Sequence, residues 1–201
     1  MNGEAYTGPK QEECKHQWID VVGSIEEAFN QGGMVTLTAD VELTQPIEVQ
    51  PGVSAILDLA GKSIVNVNPE TVDTIIVPAD ASLVIKGNGV VDGGSGSSCN
   101  MAVYISGGNC VIEDGIFRVG PDKDGSWNSC IEIKGGNLEI KGGYFSTEIA
   151  HPLLDKYCVI NKKDGVPSNV VITGGVFENF DPSKSAENPE QNYVANGYKS
   201  V

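Results

Sequence analysis

The sequence predicts an all-β parallel solenoid, and three features predict it. The first is a phrase said four times. Val84-Ile85-Lys86-Gly87-Asn88-Gly89-Val90-Val91 is followed by Val111-Ile112-Glu113-Asp114-Gly115-Ile116-Phe117. The phrase returns as Glu139-Ile140-Lys141-Gly142-Gly143-Tyr144-Phe145, then as Val171-Ile172-Thr173-Gly174-Gly175-Val176-Phe177. Its marker isoleucines, Ile85, Ile112, Ile140 and Ile172, recur at intervals of 27, 28 and 32 residues. A period of roughly 20–50 residues indicates a repeat architecture. The second feature is another strand in each period, at Thr74–Val77, Ala102–Ile105, Cys130–Ile133 and Cys158–Asn161. The third is that no convincing crossover helix follows any strand in this stretch, which argues against a βαβ sheet. Three short strands per period, separated by Gly or Asn corners, give coils that stack. Glycine at such corners supplies the positive φ that other residues resist.

The repeat covers most of the 201 residues, so the expectation is one β-helix domain over 24–201, preceded by an irregular segment over 1–23. About 27 residues per coil gives about six coils. Ser24–Gln31 reads as a capping helix, with Ser24 as N-cap and Glu27 three residues later. Ile25, Ala28 and Phe29 share one face, and Gly32-Gly33 stops the helix. Such a helix covers the apolar cross-section and unpaired edges of a first coil. Trp18, Ile19, Val21 and Val22 form a short strand or dock on that coil end.

From Met34 the chain alternates, with Val35, Leu37, Ala39 and Val41 on the inner side and Thr36, Thr38 and Asp40 outside. Leu43, Ile47 and Val49 continue inward, with Pro46 at a corner. Ala55–Ile64 makes the second coil. Loops interrupt the coils at Asn66–Asp73, Asp92–Asn100, Gly120–Asn128, Thr147–Lys156, Asn161–Asn169 and Asp181–Asn192. Insertions of this kind project from a solenoid wall and often bind something. Tyr193 and Tyr198 are expected to cap the C-terminal end.

Lys and Arg number 13 against 27 Asp and Glu, a net charge of −14. Nucleic acid needs a basic footprint, and anionic membranes attract basic segments, so neither partner is expected. No apolar run approaches the ~20 residues of a membrane helix. Met1–Pro9 has no basic-then-apolar signal pattern. That leaves a leader already removed or a chain never exported by a secretion signal.

The five cysteines, Cys14, Cys99, Cys110, Cys130 and Cys158, lack CxxC spacing and are odd in number. A zinc site or a full disulfide framework is therefore not expected. Cys130 and Cys158 occupy matching places in successive coils and are expected to stack inside as buried thiols, with a disulfide between them left open. Asn109, Asn137 and Asn169 each precede a repeat strand and are expected to stack as a ladder. Asp92 and Asp114 read as solvated corners.

Gly32–Asp40 followed by Leu57–Ile64 resembles the opening of right-handed parallel β-helix proteins of the pectate-lyase-like superfamily. Ile172–Phe177 and the closing Tyr193–Lys199 are similar to repeats and ends in β-helix proteins of gut bacteria and their phages. The resemblance implies the fold and its handedness over about 24–201, but the superfamily spans lyases, hydrolases, adhesins and phage fibres. Lyases of this fold use Asp-bound calcium and a basic residue, and hydrolases use clustered aspartates with a nearby His and Arg or Lys. The sequence has no Asp-Asp pair, no Gly-His-Gly and no Arg-Ile-Lys, and its only Arg is Arg118. No catalytic residue, metal or cofactor is therefore assigned. Pro121-Asp122-Lys123-Asp124-Gly125 has a calcium-loop flavour, but lacks the later ligands of such a loop. Trp127, with Asp122, Asp124 and Asn128 beside it, is the candidate platform for a glycan; the competing reading folds Trp127 back onto the wall.

The leading expectation is a non-enzymatic structural protein of a phage particle, a head or tail appendage located on the virion. The resemblance implies self-association, commonly as a homotrimer, and contact with other virion proteins or host-surface glycans. The alternatives are a bacterial surface or secreted adhesion module that binds glycan, and a polysaccharide lyase or hydrolase.

Overall fold

A computed structural model describes residues 21–70, 73–95, 100–120, 129–148, 157–185 and 189–201. Helix α1 spans Val21–Gln31. The first rung of the solenoid holds β1 (Gly33–Thr36), β2 (Val41–Leu43) and β3 (Ile47–Glu48). The second holds β4 (Ser54–Asp58), β5 (Ser63–Asn66) and β6 (Ile75–Pro78). The third holds β7 (Ser82–Lys86), β8 (Val90–Asp92) and β9 (Val103–Ser106). The fourth holds β10 (Asn109–Ile112), β11 (Ile116–Val119) and β12 (Ile131–Ile133). The fifth holds β13 (Gly136–Ile140), β14 (Tyr144–Thr147) and β15 (Ile160–Lys162), and the last β16 (Ser168–Ile172) and β17 (Val176–Phe177).

Every third strand pairs in parallel, which builds three sheets of six, six and five strands. Sheet 1 is β1-β4-β7-β10-β13-β16, sheet 2 is β2-β5-β8-β11-β14-β17, and sheet 3 is β3-β6-β9-β12-β15. Four rungs carry three strands of three residues or more. The first rung ends on the two-residue β3, and the last has only β16 and the two-residue β17. The expected six coils are thus about four full turns with a partial rung at each end. An end rung has a neighbour on one side only and forms fewer ladder hydrogen bonds.

Side chains alternate in and out along each strand, and parallel register stacks like positions. The marker residues form one buried column, Leu57, Ile85, Ile112, Ile140 and Ile172. In sheet 2 the inward column is Val41, Ile64, Val91, Phe117, Phe145 and Phe177. Sheet 3 contributes Ile47, Ile75, Val103, Ile131 and Ile160. One hydrophobic core therefore runs the length of the coil.

Helix α1 buries Ile25, Ala28 and Phe29 against the first rung, as the pattern predicts. It begins at Val21, so Ser24 lies inside it and is not the N-cap. Val21 and Val22 pack against the core, and that apolar contact supports an extra turn. Gly32 ends the helix at φ 85°, donating its N–H to Ala28 O at 2.9 Å. Val35, Leu37 and Val41 face inward, but Ala39 is exposed because β1 ends at Thr36 and the chain turns. At the other end Val194 forms a parallel bridge to Ile172, and Tyr193 is buried over the last rung. Tyr198 instead remains 57% exposed, so Tyr193 alone of the pair serves as a buried cap.

Cys110, Cys130 and Cys158 form no disulfide. The expected stacking of Cys130 on Cys158 fails by one residue. Ile131 pairs with Ile160, so Val159 sits over Cys130, with Ala102 beneath it. Burial pushes the Cys110 thiol up to about 12, and burial raises Cys130 further. A thiol held protonated is a poor nucleophile. Iodoacetamide should therefore leave Cys110 and Cys130 unlabelled in the folded chain at mildly alkaline pH and label both in guanidinium. Peptide mapping reads the result, and rapid native labelling would contradict this packing.

Candidate functional site

The topology gathers the insertions at one corner. Residues 67–74, 93–102, 120–130 and 148–159 all connect sheet 2 to sheet 3, on successive rungs. The other two corners are short, so the four longer connections share a single edge of the solenoid. Trp127, Asp122, Asp124 and Asn128 belong to the third insertion and lie outside the described residues, as do Cys14, Cys99, Trp18 and Ile19. The flanks of that insertion, Gly120 and Ser129, are buried at this corner.

Polar side chains line the base of the corner. Asn66, Thr74, Asn100, Ser129 and Thr147 are all buried there. Asn66 Oδ1 accepts the N–H of Asn68 at 3.0 Å. The hydroxyls of Thr74, Ser129 and Thr147 are buried without a hydrogen-bond partner among the described residues.

On the sheet 2 side, a cavity of about 380 Å³ includes Asn66, Asp92, Arg118 and Glu148 in its lining. Arg118 and Asp92 are direct neighbours on adjacent strands, and Arg118 Nε donates to Asp92 Oδ2 at 2.7 Å. Asp92 Oδ1 also accepts the Gly94 N–H at 2.8 Å. Asp92 is therefore an anchored, half-buried ion-pair partner rather than the solvated corner expected. Asp114 does sit at a corner, accepting the Gly115 N–H at 2.8 Å.

On the sheet 3 side, Tyr104 and Glu132 are register partners, Tyr104 half-buried and Glu132 buried. Lys134 bonds Glu132 Oε1 at 2.9 Å, and its Nζ lies 5.2 Å from the Tyr104 ring centre. This contact holds a cation over an aromatic face. Hydrogen bonding to Glu132 raises the Lys134 pKa, keeping it charged. Nearby Asp73 is pushed up to about 6, first by burial and then by the negative charge of Glu132. Lys134 and a hydrogen bond from the Met101 backbone oppose that rise. The arrangement places a carboxyl of raised pKa beside the Lys134–Glu132 ion pair. Sequence reading missed it because Asp73 and Glu132 come from different coils. The available signal was the polar Glu132 alternating with Ile131 and Ile133.

Asp73 binds more protons folded than unfolded between the ordinary 3.8 and about 6. Its contribution to stability is therefore lost as pH rises through that window. Asp73→Asn should raise the melting temperature near neutral pH and give no gain at or below pH 3.8. An equal change at both ends of a pH series would contradict this burial of Asp73.

The outer walls carry a different pattern. Sheet 1 presents three columns side by side. The first is polar: Ser54, Ser82, Asn109, Asn137 and Asn169. The expected asparagine ladder is present in it, with Asn137 Nδ2 donating to Asn109 Oδ1 at 2.7 Å. The second is apolar: Met34, Ile56, Val84 and Val111, then Glu139, then Val171. The third alternates in charge: Asp58, Lys86, Glu113 and Lys141. Lys86 lies 3.5 Å from Asp58, and Lys141 lies 3.6 Å from Glu113. Sheet 2 adds an outward column of Val90, Ile116, Tyr144 and Val176, with Tyr144 Oη donating to Glu178 at 2.8 Å. Met34 is 60% and Val176 59% exposed.

A scan against protein-family models finds no match, and searches of the curated proteins and of the solved structures find none either.

Proposed function

We propose that this chain is a non-enzymatic structural protein that works through its outer wall. Its setting is a phage particle, as a head or tail appendage, which the resemblance to β-helix proteins of gut bacteria and their phages implies. One observation carries the reading: large apolar side chains stand outside the coil in register, on rung after rung. A scattered exposed valine is ordinary, whereas a contiguous exposed apolar stripe marks a surface that another molecule covers. Polar and charged ladders run along both sides of the sheet 1 stripe, as rims do around a protein contact.

The test is mass spectrometry of density-purified particles from a culture of the host that carries the gene. The chain should co-purify in a fixed ratio with the other particle proteins and resist removal by salt. Recovery solely in the particle-free fraction would sink the reading.

A second reading, glycan attachment at the loop corner, rests on the Arg118, Asp92 and Glu148 cavity. Binding on a glycan array that Arg118→Ala abolishes would favour it. Binding unchanged by Arg118→Ala would remove this cavity as the attachment point.

A further inference from the structure

We propose that the sheet 1 wall is a self-complementary surface on which a second copy of this chain docks in the opposite direction. This rests on the wall being the working surface, and names its partner.

The charge column is the first support. From rung two to rung five it reads Asp58, Lys86, Glu113, Lys141, one residue beyond the Ile85, Ile112 and Ile140 register. All four side chains are partly exposed. Consider two such walls face to face, related by a two-fold axis that runs along the strands and passes between rungs three and four. The operation reverses rung order but leaves each column facing its own copy. Asp58 then faces Lys141 of the second copy, and Lys86 faces Glu113. Each contact occurs twice, as an isologous interface requires. A two-fold axis along the solenoid would instead set the charge column against the polar column, and no charge would find its opposite.

The other columns agree. Ser82 faces Asn109, and Ser54 faces Asn137, so the polar ladder meets groups that donate and accept. Val84 faces Val111 at the centre, and Met34 faces Val171 at the ends. Glu139 is the exception, since it faces Ile56. The partner's spacing is also fixed. Strands in a rung stack repeat every ~4.8 Å, so a second solenoid keeps every rung in phase once one pair is set. A globular partner has no such repeat. Finally, a chain of net charge −14 repels its own copies. The charge column is locally balanced, two acids against two lysines, which makes this wall suited to like-with-like contact.

The test measures mass by light scattering over a dilution series, with a melting curve for each variant to establish folding. Wild type should form a dimer rather than the trimer implied by resemblance. Lys86→Glu should weaken the dimer roughly 30-fold or more, because it sets like charges opposite each other twice. Glu113→Lys should do the same. The double variant K86E/E113K should restore association, since the cross-copy pair is rebuilt with its signs exchanged. Glu139→Val should tighten the dimer about 10-fold by completing the apolar column. A monomer at the highest soluble concentration, a trimer, or a dimer indifferent to Lys86→Glu overturns the proposal. Those results leave the particle reading to its own test, which fails only if purified particles lack the chain.

Discussion

Phe145→Ala is expected to cost ~3–5 kcal/mol of folding stability, the range for removing a fully buried Phe side chain. Phe145 is the middle member of a stack along sheet 2. Its ring lies 5.1 Å from Phe117 and 4.9 Å from Phe177, tilted 11° from each. Phe117 and Phe145 are fully buried, and Phe145 has a rung above and below. Truncation therefore opens a cavity and removes two ring contacts at once, each worth ~0.5–1.5 kcal/mol beyond area. In a solenoid, stability is close to a sum of rung and interface contributions. A loss at the fifth rung uncouples the end of the coil, and the melting temperature should fall by about 10 °C. Phe177→Ala, on the partly buried last rung, should cost clearly less. Guanidinium titrations of both variants measure the difference. Equal losses would mean that the stack does not act as a column.

Gly136→Ala should destabilise by at least ~3 kcal/mol, although it adds a single methyl group. Gly136 has φ +81°, and a Cβ there would collide with the carbonyl oxygen of Gly108 and lie 2.6 Å from the carbonyl carbon of Gly107. Both obstacles are backbone of the rung below, so no side chain can swing away. Gly165 provides the control. Its φ is +71°, but nothing lies within 4 Å of the place an added methyl group would occupy. Gly165→Ala should cost only ~1 kcal/mol, the backbone part alone. The gap between the two variants isolates close rung-on-rung approach from left-handed strain. If Gly165→Ala proved as damaging as Gly136→Ala, rung contact would not explain the glycine at position 136.

The glycine corners between strands were legible in the sequence, as were Ile85, Ile112, Ile140 and Ile172. Their chemistry is forced, since a corner with positive φ needs glycine and an inward slot needs an apolar side chain. Asn109, Asn137 and Asn169 were legible for the same reason, being held at one register position. The misreadings share a cause. Cys130 and Cys158 look equivalent as letters, but the 148–159 insertion between them shifts the return to sheet 3 by one residue. Ser24 resembles a cap until tertiary contact by Val21 and Val22 extends the helix.

The sheet 1 stripe was hidden because Ile56, Val84 and Val111 sit beside inward Leu57, Ile85 and Ile112. With apolar residues on both faces, alternation no longer tells outside from inside. Asp73 comes from a different coil than Glu132 and Lys134, so only stacking brings the three together. The glycan candidates Trp127, Asp122, Asp124 and Asn128 were chosen for residue type within one insertion. The fold locates the root of that insertion at the loop corner.

Whether the chain works through its sheet 1 wall is best decided by hydroxyl-radical footprinting of the wild-type chain against Lys86→Glu, read by mass spectrometry. Met34, Ile56 and Val84 should be protected in wild type and oxidised in the variant. Ile116 and Tyr144, on the neighbouring wall, should react alike in both. Equal oxidation of the sheet 1 stripe in the two proteins, with protection confined to the loop corner, would show that the chain works through its insertions and not its wall.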